Sequence, residues 1–243
     1  MSTAQGGTTL PLEFDGVGYE VADKPLLRHL NLRLEAGIRT VILGPNGSGK
    51  SLTLRLAHGL LAPTEGTIRR GSAEPARART RQAMVFERPV LLRRSVKANI
   101  DYALALHRVP RRERRTRTAE ALEKTGLSDL ANRRARVLSA GEQQRLALAR
   151  AWATKPEVLF LDEPTAALDP AATRSVEALI DAIATSGTKI VMTTHDLGQA
   201  RRLADEILFL HRGALLEHAP ASRFFEHPET EEAAAFLRGE LVW

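Results

Sequence analysis

The 243-residue sequence contains no cysteine, so neither a disulfide framework nor thiolate zinc ligation is available to it. Aromatic residues make up only 5%, too few for the base-stacking surfaces that single-stranded nucleic-acid binders use. No apolar run approaches the roughly 18 residues a membrane-spanning helix needs. The start, Met-Ser-Thr-Ala-Gln-Gly-Gly, lacks the charged-then-apolar order of a signal peptide. A cytoplasmic location is therefore expected. What is present, 43% hydrophobic and 26% charged residues, describes an ordinary globular chain. Its length suits one large α/β domain, or a core with an inserted subdomain.

The net charge is +6, and all but six of the 35 basic residues are arginine. Runs occur at Arg77, Arg79 and Arg81, at positions 111–117, and at Arg133, Arg134 and Arg136. Such runs can attract nucleic acid or anionic headgroups. Without interleaved aromatics they are expected to be solvated helix faces, with no specific nucleic-acid partner.

Period-two alternation at 12–17 and 31–34, and the β-branched run at 40–43, predict strands. After a glycine-rich break, Leu52, Leu56 and Leu60 recur four apart, which predicts a helix over 50–61. Two further strands are expected around 66–68 and 83–86. The charged stretch from 95 to 126 reads as a helical insertion, and 141–154 as another helix. Continuous apolar runs at 158–161 and 189–192, each near a helical stretch, predict a parallel sheet covered on both faces. Positions 207–210 and 214–216 flank Arg212-Gly213 as a hairpin, and the tail from 221 to 237 reads as helical segments interrupted at Pro228.

The segment Gly44-Pro45-Asn46-Gly47-Ser48-Gly49-Lys50-Ser51 satisfies G-x-x-x-x-G-K-[ST] between a predicted strand and a predicted helix. Glycines let backbone N–H groups wrap phosphates, and the helix N-terminus adds positive potential. Lys50 would reach the β- and γ-phosphates, and the Ser51 hydroxyl would meet Mg²⁺. Asp162 and Glu163 emerge at the C-terminal end of an apolar strand, where ligands of open α/β sheets bind. Asp162 suits Mg²⁺ and Glu163 suits a general base for water. Carboxylates before Pro164 also suit a simple turn. His195 follows the strand at 189–192 and could position the water. None of the seven histidines has zinc-ligand spacing.

The segment Leu138-Ser139-Ala140-Gly141-Glu142-Gln143-Gln144-Arg145 resembles the signature of ATP-binding cassette (ABC) ATPases, 23 positions before Asp162. The order of phosphate loop, helical insert, signature, paired acids and histidine is that family's order, and the resemblance covers nearly the whole chain. It implies a P-loop NTPase (RecA-like) α/β core with a mainly parallel sheet and an N-terminal antiparallel β part. Residues 1–87 and 156–243 would form that core, and 88–155 a helical subdomain including the signature. It implies ATP and Mg²⁺ as cofactors, nucleotide binding that extends to Leu52, and Tyr19 stacked on adenine. It further implies a head-to-tail dimer of two copies. There Ser139, Ala140, Gly141 and Glu142 face the partner's γ-phosphate, and Asp169 links the two sites. Ser139 and Gly141 are equally suited to cap a helix.

Two departures stand out. Ala140 replaces the usual glycine and Glu142 the usual glutamine of the signature, and Glu87 stands where the family places a glutamine that touches Mg²⁺ and relays nucleotide state. Three classes fit a phosphate loop: a transporter motor, a soluble ABC ATPase acting on nucleic acid or ribosomes, and an unrelated P-loop enzyme. The signature disfavours the last. Only 89 positions separate Lys50 from Ser139, too few for the coiled coil of DNA-repair relatives. The segment at 88–100 is similar to the permease-facing region of importer cassettes, although an exporter cassette remains an alternative. The tail, Glu217 to Phe225 and Phe236 to Trp243, resembles tungstate-type oxyanion importers. The expected partners are therefore membrane permease subunits and, through them, an extracytoplasmic substrate-binding protein. That places the chain at the cytoplasmic face of the membrane.

Overall fold

The computed structural model describes residues 7–72 and 75–240, the side chains of 75–77 excepted. The first six residues and the Leu241-Val242-Trp243 ending, part of the tungstate-type resemblance, lie outside the described residues, as does the Arg77 side chain. Strands β1 (Leu12–Val21) and β2 (Lys24–Leu34) pair antiparallel, and β3 (Thr40–Leu43) leads through the glycine-rich turn into helix α1 (Lys50–His58). Then come β4 (Glu65–Arg70), α2 (Pro75–Thr80) and β5 (Gln82–Val85). The helical stretch expected over 95–126 is two helices, α3 (Val96–Leu106) and α4 (Arg111–Lys124). Pro110 stands at the N-cap of α4, where its missing N–H and fixed φ start a helix but cannot continue one. Next are α5 (Ala140–Ala153), β6 (Val158–Asp162), α6 (Pro170–Thr185), β7 (Lys189–Thr193) and α7 (Leu197–Leu203). A hairpin of β8 (Glu206–His211) and β9 (Ala214–Pro220) precedes α8 (Ala221–Glu226) and α9 (Glu231–Leu237).

The first sheet has the order β2-β1-β4, all antiparallel. The second has the order β5-β6-β7-β3-β8-β9, parallel except for β9. Apolar residues run without interruption along its central strands because both faces are covered. Leu159, Leu161, Ile190 and Met192 point to a cluster built with α5 to α9, whereas Val158, Phe160 and Val191 point to one built with α1 and the first sheet.

A third cluster joins α3, α4 and α5. Helix α5 serves two clusters: Leu146, Ala149 and Ala153 face α3 and α4, while Ala147, Leu148 and Ala151 face the sheet. Helix α1 stops earlier than the leucine spacing predicts. Gly59 takes the left-handed conformation at φ 85°, and its N–H bonds the carbonyls of Arg55 and Leu56. Leu60 is consequently left 51% exposed.

The strand order also places the site. Strand β7 lies between β3 and β6, so the loops leaving the C-terminal ends of all three meet at one edge of the sheet.

Candidate functional site

The turn from β3 to α1 is built around positions that admit no side chain. Gly44 has φ 152°, and a Cβ there would lie 2.1 Å from the Leu210 carbonyl oxygen. Gly49 is the N-cap of α1 at φ 104° and offers no side-chain cap, so the first N–H groups of the helix are left to a ligand. Pro45, Asn46, Gly47 and Ser48 close the turn, with Ser48 N–H bonded to the Pro45 carbonyl at 3.2 Å. The Ser48 hydroxyl is buried and has no hydrogen-bond partner among the described residues. Lys50 is 5% exposed, and its ammonium donates to the carbonyls of Gly44 at 2.8 Å and Pro45 at 3.1 Å. Burial pushes this ammonium below its ordinary range, while Glu163 and then Asp162 act in the opposite sense.

Four side chains from the C-terminal ends of two strands, Asp162 and Glu163 at the end of β6 and Thr193 and His195 at the end of β7, converge on that turn. Ser51 Oγ donates to Asp162 Oδ1 at 2.7 Å, and Thr193 Oγ1 donates to the same oxygen at 3.0 Å. Lys50 Nζ lies 3.9 Å from Glu163 Oε1, and His195 Nδ1 lies 2.8 Å from Glu163 Oε2. The Glu163 N–H donates to Thr193 Oγ1 at 3.0 Å, and its backbone sits at φ 43°, a region that non-glycine residues seldom adopt. A cavity of about 510 Å³ opens beside Glu163 and His195.

The arrangement can hold a polyphosphate against α1 and present a carboxylate to water beside it. Ser51 and Asp162 also fit Mg²⁺. They are hard oxygen donors, and an ion that keeps several waters and phosphate oxygens needs only one or two protein groups. No group of three or more metal-ligating side chains exists among the described residues, so a metal held by protein alone is not what this donor set offers.

Tyr19 pairs with Leu27 across β1 and β2, and a Cβ on Gly49 would lie 2.4 Å from Leu27 Cδ2. The structure therefore brings Tyr19 one residue away from the phosphate-loop turn. Leu52 packs, partly buried, against the cluster of the first sheet. Glu87 follows β5, the neighbour of β6, and is exposed.

Ser139 begins α5 with a reciprocal capping box. Its hydroxyl accepts the Glu142 N–H at 3.3 Å, and Glu142 Oε2 accepts the Ser139 N–H at 2.7 Å. That backbone bond holds the Glu142 carboxyl below its usual range, so the box persists at neutral pH and is lost as pH falls through the depressed value. Ser139 and Ala140 are exposed, and Gly141 abuts α6, where a Cβ on it would lie 2.8 Å from Ala172 Cβ. Asp169 caps α6, its Oδ1 accepting from Ala171 N at 2.8 Å and Ala172 N at 2.9 Å. The signature segment and Asp169 thus lie together. Among the described residues, no hydrogen bond or ion pair joins 139–142 to 44–51.

Two residues at the site carry no sequence signal. Thr193 holds Asp162 and Glu163 together only because β7 lies beside β6. Arg55, one turn along α1 from Ser51, brings Nη2 to 4.0 Å from Asp162 Oδ2.

Comparison with known proteins adds a family. A family model described as ABC transporter matches residues 27–166. The chain is 37% identical to "Phosphate import ATP-binding protein PstB 2" of Natronomonas pharaonis, over 98% of this chain and 91% of that one. It is 37% identical to "Glutamine transport ATP-binding protein GlnQ" of Bacillus subtilis, over 93% and 97%. Against "Tungstate uptake system ATP-binding protein TupC" of Peptoclostridium acidaminophilum it is 39% identical, over 77% and 88%. Among solved structures, cbiO1 from Clostridium perfringens, described as part of the ABC transporter complex cbiONQ, superposes with TM-score 0.82. It is 28% identical and covers 93% of this chain and 94% of that one.

Proposed function

This chain belongs to the ABC transporter family and is an ATP-binding, ATP-hydrolysing subunit, and from that premise we propose that it drives an importer for an oxyanion such as tungstate. The observation that carries the hydrolytic part of this reading is the convergence of Lys50, Ser51, Asp162, Glu163 and His195 at one sheet edge. Lys50 and the uncapped start of α1 hold the phosphates, with Pro45, Asn46, Gly47 and Ser48 shaping the cradle. Ser51 and Asp162 hold Mg²⁺, which supplies charge neutralisation on the phosphate oxygens when bound. Glu163 takes a proton from the water that attacks the γ-phosphorus, leaving ADP and phosphate. His195 holds the other carboxylate oxygen, so that Glu163 keeps one orientation. Tyr19 stacks on the adenine.

The active form is a head-to-tail dimer of two copies. Ser139 and Ala140 are exposed, and among the described residues no hydrogen bond or ion pair joins 139–142 to the chain's own phosphate loop, so this segment completes the site of the other copy, with Asp169 between the sites. The permease docks on a groove of about 380 Å³ between β5, α3 and α5 that is lined by Pro89 and Val90. Val90 is 75% exposed there, and among the described residues both polar atoms of the buried Gln82 amide lack a partner. No helix among the described residues is long and apolar enough to cross a membrane, which suits a motor working on separate permease subunits. These in turn receive cargo from an extracytoplasmic substrate-binding protein and hold the motor at the cytoplasmic face.

The oxyanion reading is supported by the phosphate- and tungstate-transport relatives, whose named cargoes are tetrahedral oxyanions; the glutamine-transport relative points to amino acids instead. Uptake assays in a strain lacking this gene separate them. Loss of tungstate or phosphate uptake, restored by the wild-type gene and not by a Glu163→Gln copy, is the expected result. Loss of glutamine uptake alone would replace the cargo. Tight, sequence-selective nucleic-acid binding at physiological salt would replace the transporter reading altogether.

A further inference from the structure

The short loop between β6 and α6 carries both Glu163 and Asp169 and is held by few contacts of its own. Two backbone bonds fold it, from Ala166 N to the Glu163 carbonyl and from Leu168 N to the Thr165 carbonyl. Among the described residues, one side-chain hydrogen bond reaches its interior: Gln199 Nε2 donates to Thr165 Oγ1 at 2.7 Å. Gln199 lies in the first turn of α7, is 1% exposed, and donates from the same nitrogen to Glu177 Oε1 at 3.2 Å.

Glu177, on α6 and 6% exposed, is in turn gripped by Arg202 through two bonds, Nε to Oε2 at 2.9 Å and Nη2 to Oε1 at 2.7 Å. A buried carboxylate held in this bidentate way is a fixed point. The chain Arg202, Glu177, Gln199, Thr165 therefore ties the loop to α6 and α7 at once.

The second tie between the same two loops is His195 to Glu163, one turn of chain before Gln199. With β7 fixed beside β6 and the Glu163 N–H bonded to Thr193 Oγ1, these two side-chain bonds define how the rest of the Glu163 loop sits against the His195 loop and α7. The strained φ of Glu163 gives that definition a purpose, because a residue in the left-handed region relaxes unless its surroundings over-determine it.

We infer that Gln199, anchored by the Glu177–Arg202 pair and acting through Thr165, is a positioning residue that holds Glu163 in register for attack on the γ-phosphorus. The inference rests on the assignment of Glu163 as base. Gln199 touches neither nucleotide nor water; its effect passes through the loop. Loss of the Thr165 bond should leave ATP affinity of the single subunit unchanged, because the phosphate cradle is built on β3 and α1. It should lower the chemical step, since a displacement of about 1 Å at a reacting group costs on the order of 10²-fold.

The test compares Gln199→Met, which keeps the side-chain length and removes the amide, with Thr165→Val, Thr165→Ser and the double Gln199→Met/Thr165→Val. Single-turnover ATP hydrolysis and ATP affinity are measured on each. Expected are falls in kcat of about 10- to 100-fold for Gln199→Met and Thr165→Val with unchanged ATP affinity. The double variant should be no worse than either single one, and Thr165→Ser should be near normal. Additive losses, or a kcat within about twofold of the parent for a folded Gln199→Met, would overturn the inference.

If Gln199→Met does not fold, the exchange Gln199→Glu/Glu177→Gln keeps one carboxylate and one amide in the same buried space. Recovery of turnover relative to Gln199→Glu alone supports the tie, and no recovery overturns it. Glu163→Gln run alongside keeps the two ideas apart. If it retains turnover the base assignment fails. If it loses turnover while folded Gln199→Met does not, only the positioning inference fails.

Discussion

The phosphate loop and the signature segment are both helix starts beside a glycine, but their N–H groups have different fates. Helix α1 begins at Gly49 with no side-chain cap, and the lysine that follows is buried and turned back onto the loop's own carbonyls. Helix α5 begins at Ser139 with a closed capping box, in which Ser139 and Glu142 satisfy each other. An uncapped start is ready to receive an anion from the same chain's site. A capped start is satisfied while alone and, in the proposed dimer, would have to exchange its own carboxylate for the phosphate of a second copy. This contrast is what the proposed dimer requires, in which a single subunit would hold nucleotide and the site would close only as a pair.

The largest expected effect would break the first half of the comparison. Glu163→Gln keeps the shape at the phosphate-loop side and removes the base, so turnover should fall by about 10²–10⁴-fold while ATP still binds. Steady-state phosphate release with a separate nucleotide-binding assay checks it, and near-normal turnover would reject Glu163 as the base. Next in size, Ser139→Arg should abolish ATP-dependent pairing without touching ATP affinity of the single subunit, because it adds bulk and charge only at the α5 start. Equilibrium nucleotide binding to the dilute protein reads the second part.

Glu142→Gln sharpens the contrast. Glutamine keeps an acceptor for the Ser139 N–H but carries no charge, so a phosphate meets less repulsion at the same helix start. ATP-dependent dimerisation should tighten by about three- to thirtyfold, the scale of one charge at each of the two α5 N-termini in the dimer, measured as the dimer dissociation constant. Smallest is Glu87→Gln at the exposed end of β5. It replaces an acceptor-only carboxylate with an amide that both donates and accepts. The Mg²⁺ concentration for half-maximal ATPase should shift by about two- to threefold, as for a single exposed charge in water. Overlapping magnesium titrations with equal permease stimulation would show that Glu87 has no special role.

Much of this site is written in local pattern. The phosphate loop declares itself by glycines that no side chain could replace, as Gly44 and Gly49 show, and Asp162 and Glu163 stand at the end of a buried run. The parallel sheet was readable for the same reason, since strands covered on both faces must be apolar throughout. What stayed hidden depends on neighbours distant in sequence. Thr193 is an ordinary threonine until β7 is placed between β3 and β6, and Gln199 is one polar residue on a seven-residue helix until Thr165 and Glu177 meet it.

Strand β2 shows a different failure. Only 31–34 alternates clearly, because Pro25, the positive φ of His29 and the register shifts along β1 blur the first half of an 11-residue strand. That hidden half carries Leu27, which connects Tyr19 to Gly49.

The central claim, that the uncapped and capped helix starts are two halves of one site in different copies, is tested most directly by sedimentation. Glu163→Gln and Glu163→Gln/Ser139→Arg are compared with and without ATP. The account predicts that both are monomers without nucleotide, that Glu163→Gln becomes a dimer with ATP, and that the double variant binds ATP yet stays a monomer. Equal ATP-dependent dimerisation of the two proteins would contradict it.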